Sequence, residues 1–162
     1  MDIFELTTDI WKFNRERTLA TLDEIEKASD PRAALGWRPG PERAHMAWQL
    51  MHIGMTEELF ATQRLLGKTS DYAELAPRFK GGSTPDDDIP SLESIRDLLN
   101  QSREHLLSTM ATFTTDDLAI IPEPFKERGW TLATILKIVA WHEPHHQGQA
   151  HLNLNLFRAS QT

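Results

Sequence analysis

Apolar side chains recur along the chain three and four residues apart, the spacing of helices buried on one face, and no stretch alternates convincingly as a strand would. Phe4, Trp11, Leu19, Leu22 and Ile25 predict a first helix from about Ile3 to Ala28. Ser29-Asp30-Pro31 closes it, because a proline disfavours helical backbone in the residue before it. Gly36-Trp-Arg-Pro-Gly-Pro41 is turn material, and Pro41 suits the first position of a second helix, where its missing N–H costs nothing. That helix, with Ala44, Trp48, Met51, Met55, Leu59, Thr62 and Leu66 in one stripe, is predicted to run to about Leu66 and to stop at Gly67.

From Lys68 to Pro90 the periodicity disappears, and Gly81-Gly-Ser-Thr-Pro-Asp-Asp-Asp-Ile-Pro90 is rich in residues that break regular structure. So long a connection argues against a simple up-down bundle with short loops, and for a functional or crossover segment. Ser91 caps a third helix carrying Leu92, Ile95, Leu98, Leu99, Leu106, Met110 and Phe113, and Thr114-Thr-Asp-Asp117 turns the chain. Thr131 caps a fourth, with Trp130 placed to pack on Ile135 and with Leu132, Ile135, Leu136, Val139, Leu152 and Leu156 as its apolar face. The expected fold is all-α, a four-helix bundle in one domain over 1–162 with a long connection between helices 2 and 3.

Charge and composition narrow the function. Asp and Glu outnumber Lys and Arg by 24 to 17, a net charge of -7, which argues against nucleic acid as a partner, because binding there rests on cations neutralising phosphates. No apolar run approaches the roughly 20 residues that cross a bilayer, and the first residues lack the pattern of a signal peptide, so a cytoplasmic, membrane-free protein is expected. Without cysteine there is neither a disulfide framework nor a thiolate ligand, and thiol chemistry would need an external thiol. Asp86-Asp87-Asp88 lacks the glycine and the glutamate of a calcium loop and reads as a solvated turn.

Seven histidines remain as candidate ligands. In Trp141-His-Glu-Pro-His-His-Gln-Gly-Gln149, His142 and His146 stand four apart and share a helix face. In the second helix His45 and His52 lie about 10 Å apart along the axis, too far for both to reach one metal, and His52 is the deeper of the two. His145, three residues from His142, could also face it, but is expected on the surface; His105 and His151 match no ligand spacing. His142-Glu-x-x-His146 also spells a zinc-protease signature, yet Gly148 and His151 fall one position early for its longer form and Pro144 sits inside it. Glu143 is expected at the surface or holding a neighbouring histidine, Gln149 on the helix surface or hydrogen-bonded behind a ligand, and the five tryptophans in the core. Pro144 removes a donor to the Ala140 carbonyl, and the kink expected there would set the angle between His142 and His146.

Trp48-x-x-x-His52, the long connection, Trp130-Thr-Leu and His142-Glu-x-His-His146-x-Gly-Gln149 together resemble the DinB/YfiT-like metalloenzyme superfamily across essentially the whole chain. The resemblance implies a four-helix bundle, a homodimer, and a metal site at positions matching His52, His142 and His146. Gln147, where many relatives carry Arg, and Pro144 depart from the pattern. Three imidazoles suit one divalent ion, zinc or nickel, with a coordination position left open. The resemblance further implies a small-molecule substrate and thiol-dependent isomerase or S-transferase activity with a low-molecular-weight thiol as cosubstrate; metal-dependent hydrolysis is the next reading. A stress-associated metal-binding bundle without turnover is the alternative from another class.

Overall fold

Residues 2–161 are described by the computed structural model, in which all regular structure is helical. Helix α1 spans Ile3–Glu26, its first turn closed by a reciprocal capping box between Asp2 and Glu5. A short α2, Pro31–Gly36, follows, with Asp30 as its cap and Pro31 in its first turn. Helix α3 runs over Met46–Glu58 and continues as a wider π-helical segment over Leu59–Leu65. After the short α4, Ala76–Phe79, come α5 over Leu92–Met110, two 3-10 turns at Thr115–Ala119 and Glu123–Arg128, and α6 over Leu132–Ser160. The long helices α1, α3, α5 and α6 form the bundle, with α3 packed on both α5 and α6, and α1 closing against α6. Among the described residues no helix is long and apolar enough to cross a membrane.

Two boundaries and the content of the connector depart from the sequence reading. The second long helix starts at Met46 rather than Pro41, because Glu42 adopts a left-handed backbone (φ 59) and Arg38 draws the Arg43 carbonyl out of helical register at 2.8 Å. His45 is the true cap, its Nδ1 accepting the Trp48 N–H at 3.0 Å. The first helix stops at Glu26, two residues early, and the connector is not featureless, since α4 lies within it.

The core divides into two apolar clusters stacked along the bundle. One gathers Leu22, Ile25, Met46, Leu50, Met51, Ile53, Met55, Ile95, Leu98, Leu99, Leu154 and Phe157; the other gathers Trp11, Phe60, Leu106, Met110, Phe125, Leu132, Ile135 and Val139. Leu152 and Leu156, expected in the core, are exposed; the buried face of α6 instead passes through Val139, Glu143, Ala150, Asn153, Leu154 and Phe157. Two buried polar positions, Glu143 and Asn153, interrupt that face and hide its phase in the sequence. Trp141 is likewise not core: it is 60 % exposed, with His145 stacked on it at 4.6 Å.

Between the two clusters each long helix contributes one buried charge: Arg15 from α1, Glu57 from α3, Arg103 from α5 and Glu143 from α6. Arg15 reaches Glu57 and Glu143, each at 2.7 Å, and donates to the Leu99 carbonyl; Arg103 donates to both glutamates, and Thr18 adds a bond to Glu143 at 2.7 Å. Two positive and two negative groups thus neutralise one another in a closed layer, the condition under which buried charge is tolerated.

Candidate metal centre

The histidine centre lies beside this charged layer, on the facing sides of α3 and α6. His52 is held by the connector: its Nδ1–H donates to the Phe79 carbonyl at 2.7 Å, and Trp48, one turn earlier, stacks on its ring at 4.6 Å and 11°. Trp48 is fixed in turn, its Nε1–H donating to the Arg78 carbonyl and to Ser83 Oγ, both at 3.1 Å. A carbonyl can only accept, so the proton on His52 is assigned to Nδ1 and the Nε2 lone pair faces inward. The long connector therefore has a defined task. Arg78 binds Asp86 and Asp88 and Arg38 binds Asp87; the three aspartates are solvent-exposed, as expected of a solvated turn, and these pairs tie that turn to the rest of the chain.

His146 is oriented by a different route. Its Nδ1–H donates to Gln49 Oε1 at 2.6 Å, Gln49 Nε2–H donates to Gln149 Oε1 at 3.1 Å, and Gln149 donates to His145 Nε2 at 2.9 Å. Gln149 bonds Gln49 and His145 rather than a candidate ligand, so it stands one bond further from the centre than expected, while Gln49 escaped the sequence reading because a lone glutamine in a helix carries no spacing signal. His142 completes the group, with Nε2 3.0 Å from His52 Nε2. The three candidate ligand atoms lie within 4.8 Å of one another. Tetrahedral nitrogens about 2.1 Å from a common ion stand roughly 3.4 Å apart, so small ring rotations would bring these to one point. The donor set fits a divalent ion, and two of the three rings already present Nε2 with Nδ1 tied to an oxygen acceptor.

Electrostatics keep the rings available as ligands. Burial, then the neighbouring imidazoles, pushes His142 down to about 3; burial, then His52 and His145, does the same to His146. His52 is lowered as well, chiefly by burial. All three are neutral at physiological pH, as metal binding requires.

The other sequence candidates fall elsewhere. His45 caps α3, and its Nε2–H donates to the Asp86 carbonyl at 2.9 Å. His105 bonds the buried Glu58 at 2.7 Å, while His145 and His151 are exposed. Glu143 corrects an expectation: it is 1 % exposed, neither at the surface nor on a histidine, with its carboxylate engaged by Arg15, Arg103 and Thr18. A carboxylate so occupied cannot activate water at the histidines, which removes the protease reading of His142-Glu-x-x-His146. Pro144 lies inside a continuous α6, and the Ala140 carbonyl it leaves without a helical donor accepts Asn14 Nδ2–H from α1 at 3.1 Å.

A helical bundle whose two central helices converge three neutral imidazoles on a point, with a connector buttressing one of them, defines a class of possible metal-binding bundles. The sequence matches the DinB superfamily over residues 10–150, and the chain belongs to that superfamily. No curated protein matches it.

Proposed function

We propose that this protein is a divalent-metal-dependent enzyme acting on a small molecule, with His52, His142 and His146 holding one zinc or nickel ion through Nε2. The convergence of three neutral rings, two with Nδ1 engaged by oxygen acceptors, carries this reading. When bound, such an ion supplies a Lewis acid that can stabilise a thiolate or polarise a carbonyl. The chain does the positioning: Phe79 and Gln49 fix ring orientation, and Trp48 covers the His52 face. Thiol transfer or isomerisation, with a low-molecular-weight thiol as cosubstrate, ranks ahead of hydrolysis, because Glu143, the carboxylate next to His142, is held by Arg15, Arg103 and Thr18 and not free to act as general base; the absence of cysteine is compatible with a thiol supplied by the cosubstrate. A homodimer is proposed as well, supported by the exposed apolar row Ile3, Leu6, Ile10 and Phe13 along α1.

Elemental analysis of untagged protein, joined to a thiol-dependent activity screen, tests the reading on wild type and His146→Ala. One metal per chain and thiol-dependent turnover, both lost in the variant, are expected. Stoichiometric metal without turnover would leave a metal-binding protein, and absence of metal would refute both.

A further inference from the structure

A cavity of about 780 Å³ opens where the π-helical end of α3 meets the connector. None of the three histidines lines it, but two of its lining residues, Thr56 and Gly81, lie beside His52. Thr56 on its wall stands one turn beyond His52, and a Cβ placed on Gly81 would lie 3.9 Å from His52 Cε1. At this size it matches sites that enclose small organic molecules.

Every charged residue lining the cavity is cationic: Arg64, Lys68, Lys80 and Arg128. In a chain with net charge -7 this local reversal is unexpected from composition. Six other arginines, Arg15, Arg38, Arg78, Arg96, Arg103 and Arg158, find carboxylates; among the described residues these four form no ion pair, as is also true of Arg17, Arg32 and Arg43, so what sets the four apart is that they share one cavity. Two are held by aromatic faces instead. The Arg64 guanidinium lies 4.8 Å from the Phe60 ring centroid and 5.9 Å from that of Phe125, and Arg128 lies 4.8 Å from Trp130. Phe60, Phe125 and Trp130 are themselves stacked in series at 5.5 and 5.7 Å. Ring faces orient a guanidinium without consuming its charge or its N–H donors, so the pair stays preorganised for an anion. Burial, then repulsion from Arg128, pushes Arg64 down from its usual value, as expected where no counter-charge is supplied.

We propose that this cavity binds the anionic end of the substrate or cosubstrate, a small molecule carrying two or more negative charges as carboxylate or phosphate, with Arg64 and Arg128 as its anchors and its reactive end directed to the histidine centre. This deepens the proposed function and rests on it for the reactive end alone; the anion site stands on its own residues.

The test is calorimetric titration of the full chain, with and without one equivalent of Zn²⁺, using succinate, inorganic phosphate and the neutral diamide of succinate. Saturable binding of at least one anion and none of the diamide is expected, weakened about tenfold or more in Arg64→Gln and Arg128→Gln and unchanged in Lys12→Gln, which removes the same charge elsewhere. Preference between the two anions assigns carboxylate or phosphate. Failure of both anions to bind in the millimolar range, or equal binding by wild type and both arginine variants, overturns the proposal. Zn²⁺ titration of the same samples separates the two readings: anion binding without metal binding sinks only the metal reading, and metal binding without anion binding sinks only this one.

Discussion

Replacing Glu143 by Gln keeps the shape of the side chain and removes one negative charge from a layer otherwise balanced two against two. Glu143 accepts from Arg15, Arg103 and Thr18, so the variant leaves both guanidiniums facing a single carboxylate, Glu57, at a depth where solvent cannot compensate. Breaking a buried pair in this way costs about 3–5 kcal/mol, far above the roughly 0–1 kcal/mol of an exposed pair. For a chain of this size each kcal/mol lowers Tm by about 2–4 °C, so a fall of roughly 6–20 °C is expected. Urea unfolding at pH 7 should show the loss as a lower midpoint at unchanged slope. Arg96→Gln is the internal control, since Arg96 pairs with Asp23 and Glu26 on the surface and should lose no more than about 1 kcal/mol. The double variant Glu143→Gln, Arg103→Met restores neutrality and should lose less than the sum of its parts by about 1–3 kcal/mol. If Glu143→Gln costs no more than Arg96→Gln, or the pair is additive, the layer does not carry the charge balance attributed to it.

Other consequences follow from single contacts. His45 is held below its usual pKa, mainly by burial, and acts as a cap only while neutral. The unfolded chain takes up this proton near pH 6.5 and the folded chain only lower, so its contribution is intact above 6.5 and lost as pH falls through the folded value; His45→Asn, which keeps a cap, should unfold with a shallower acid-side slope, by up to about 1.4 kcal/mol per pH unit. Asn14→Ala deprives the Ala140 carbonyl of its partner and should cost about 1–2 kcal/mol in urea unfolding; in a Pro144→Ala background, where the helix supplies its own donor, the same change should cost measurably less. Phe13, 62 % exposed on the apolar row of α1, should be needed for the proposed dimer, so light scattering of Phe13→Asp should report a monomer where wild type reports a dimer.

Helical periodicity made the four long helices, their caps at Ser91 and Thr131, and the stop at Gly67 (φ 64) legible, because each rests on local chemistry. The start of α3 was not legible, since it depends on Arg38 reaching across a turn to the Arg43 carbonyl. The lower face of α6 was misphased for a related reason: its core stripe passes through Glu143, a residue that is buried only because Arg15 and Arg103 arrive from other helices. His142 and His146 could be paired from their spacing, but their meeting with His52 needed two helices brought together, which the family resemblance supplied. The roles of Gln49 and of the Phe79 carbonyl were invisible, one for want of a spacing signal and the other because a backbone group has no letter.

Competition of untagged protein against a zinc chelator bears most directly on the centre. Wild type should take up one equivalent, His52→Ala, His142→Ala and His146→Ala should each weaken it by about 100-fold or more, and His145→Ala and His151→Ala should retain nearly full affinity. Wild-type affinity in any one of the first three would contradict a centre built from these imidazoles.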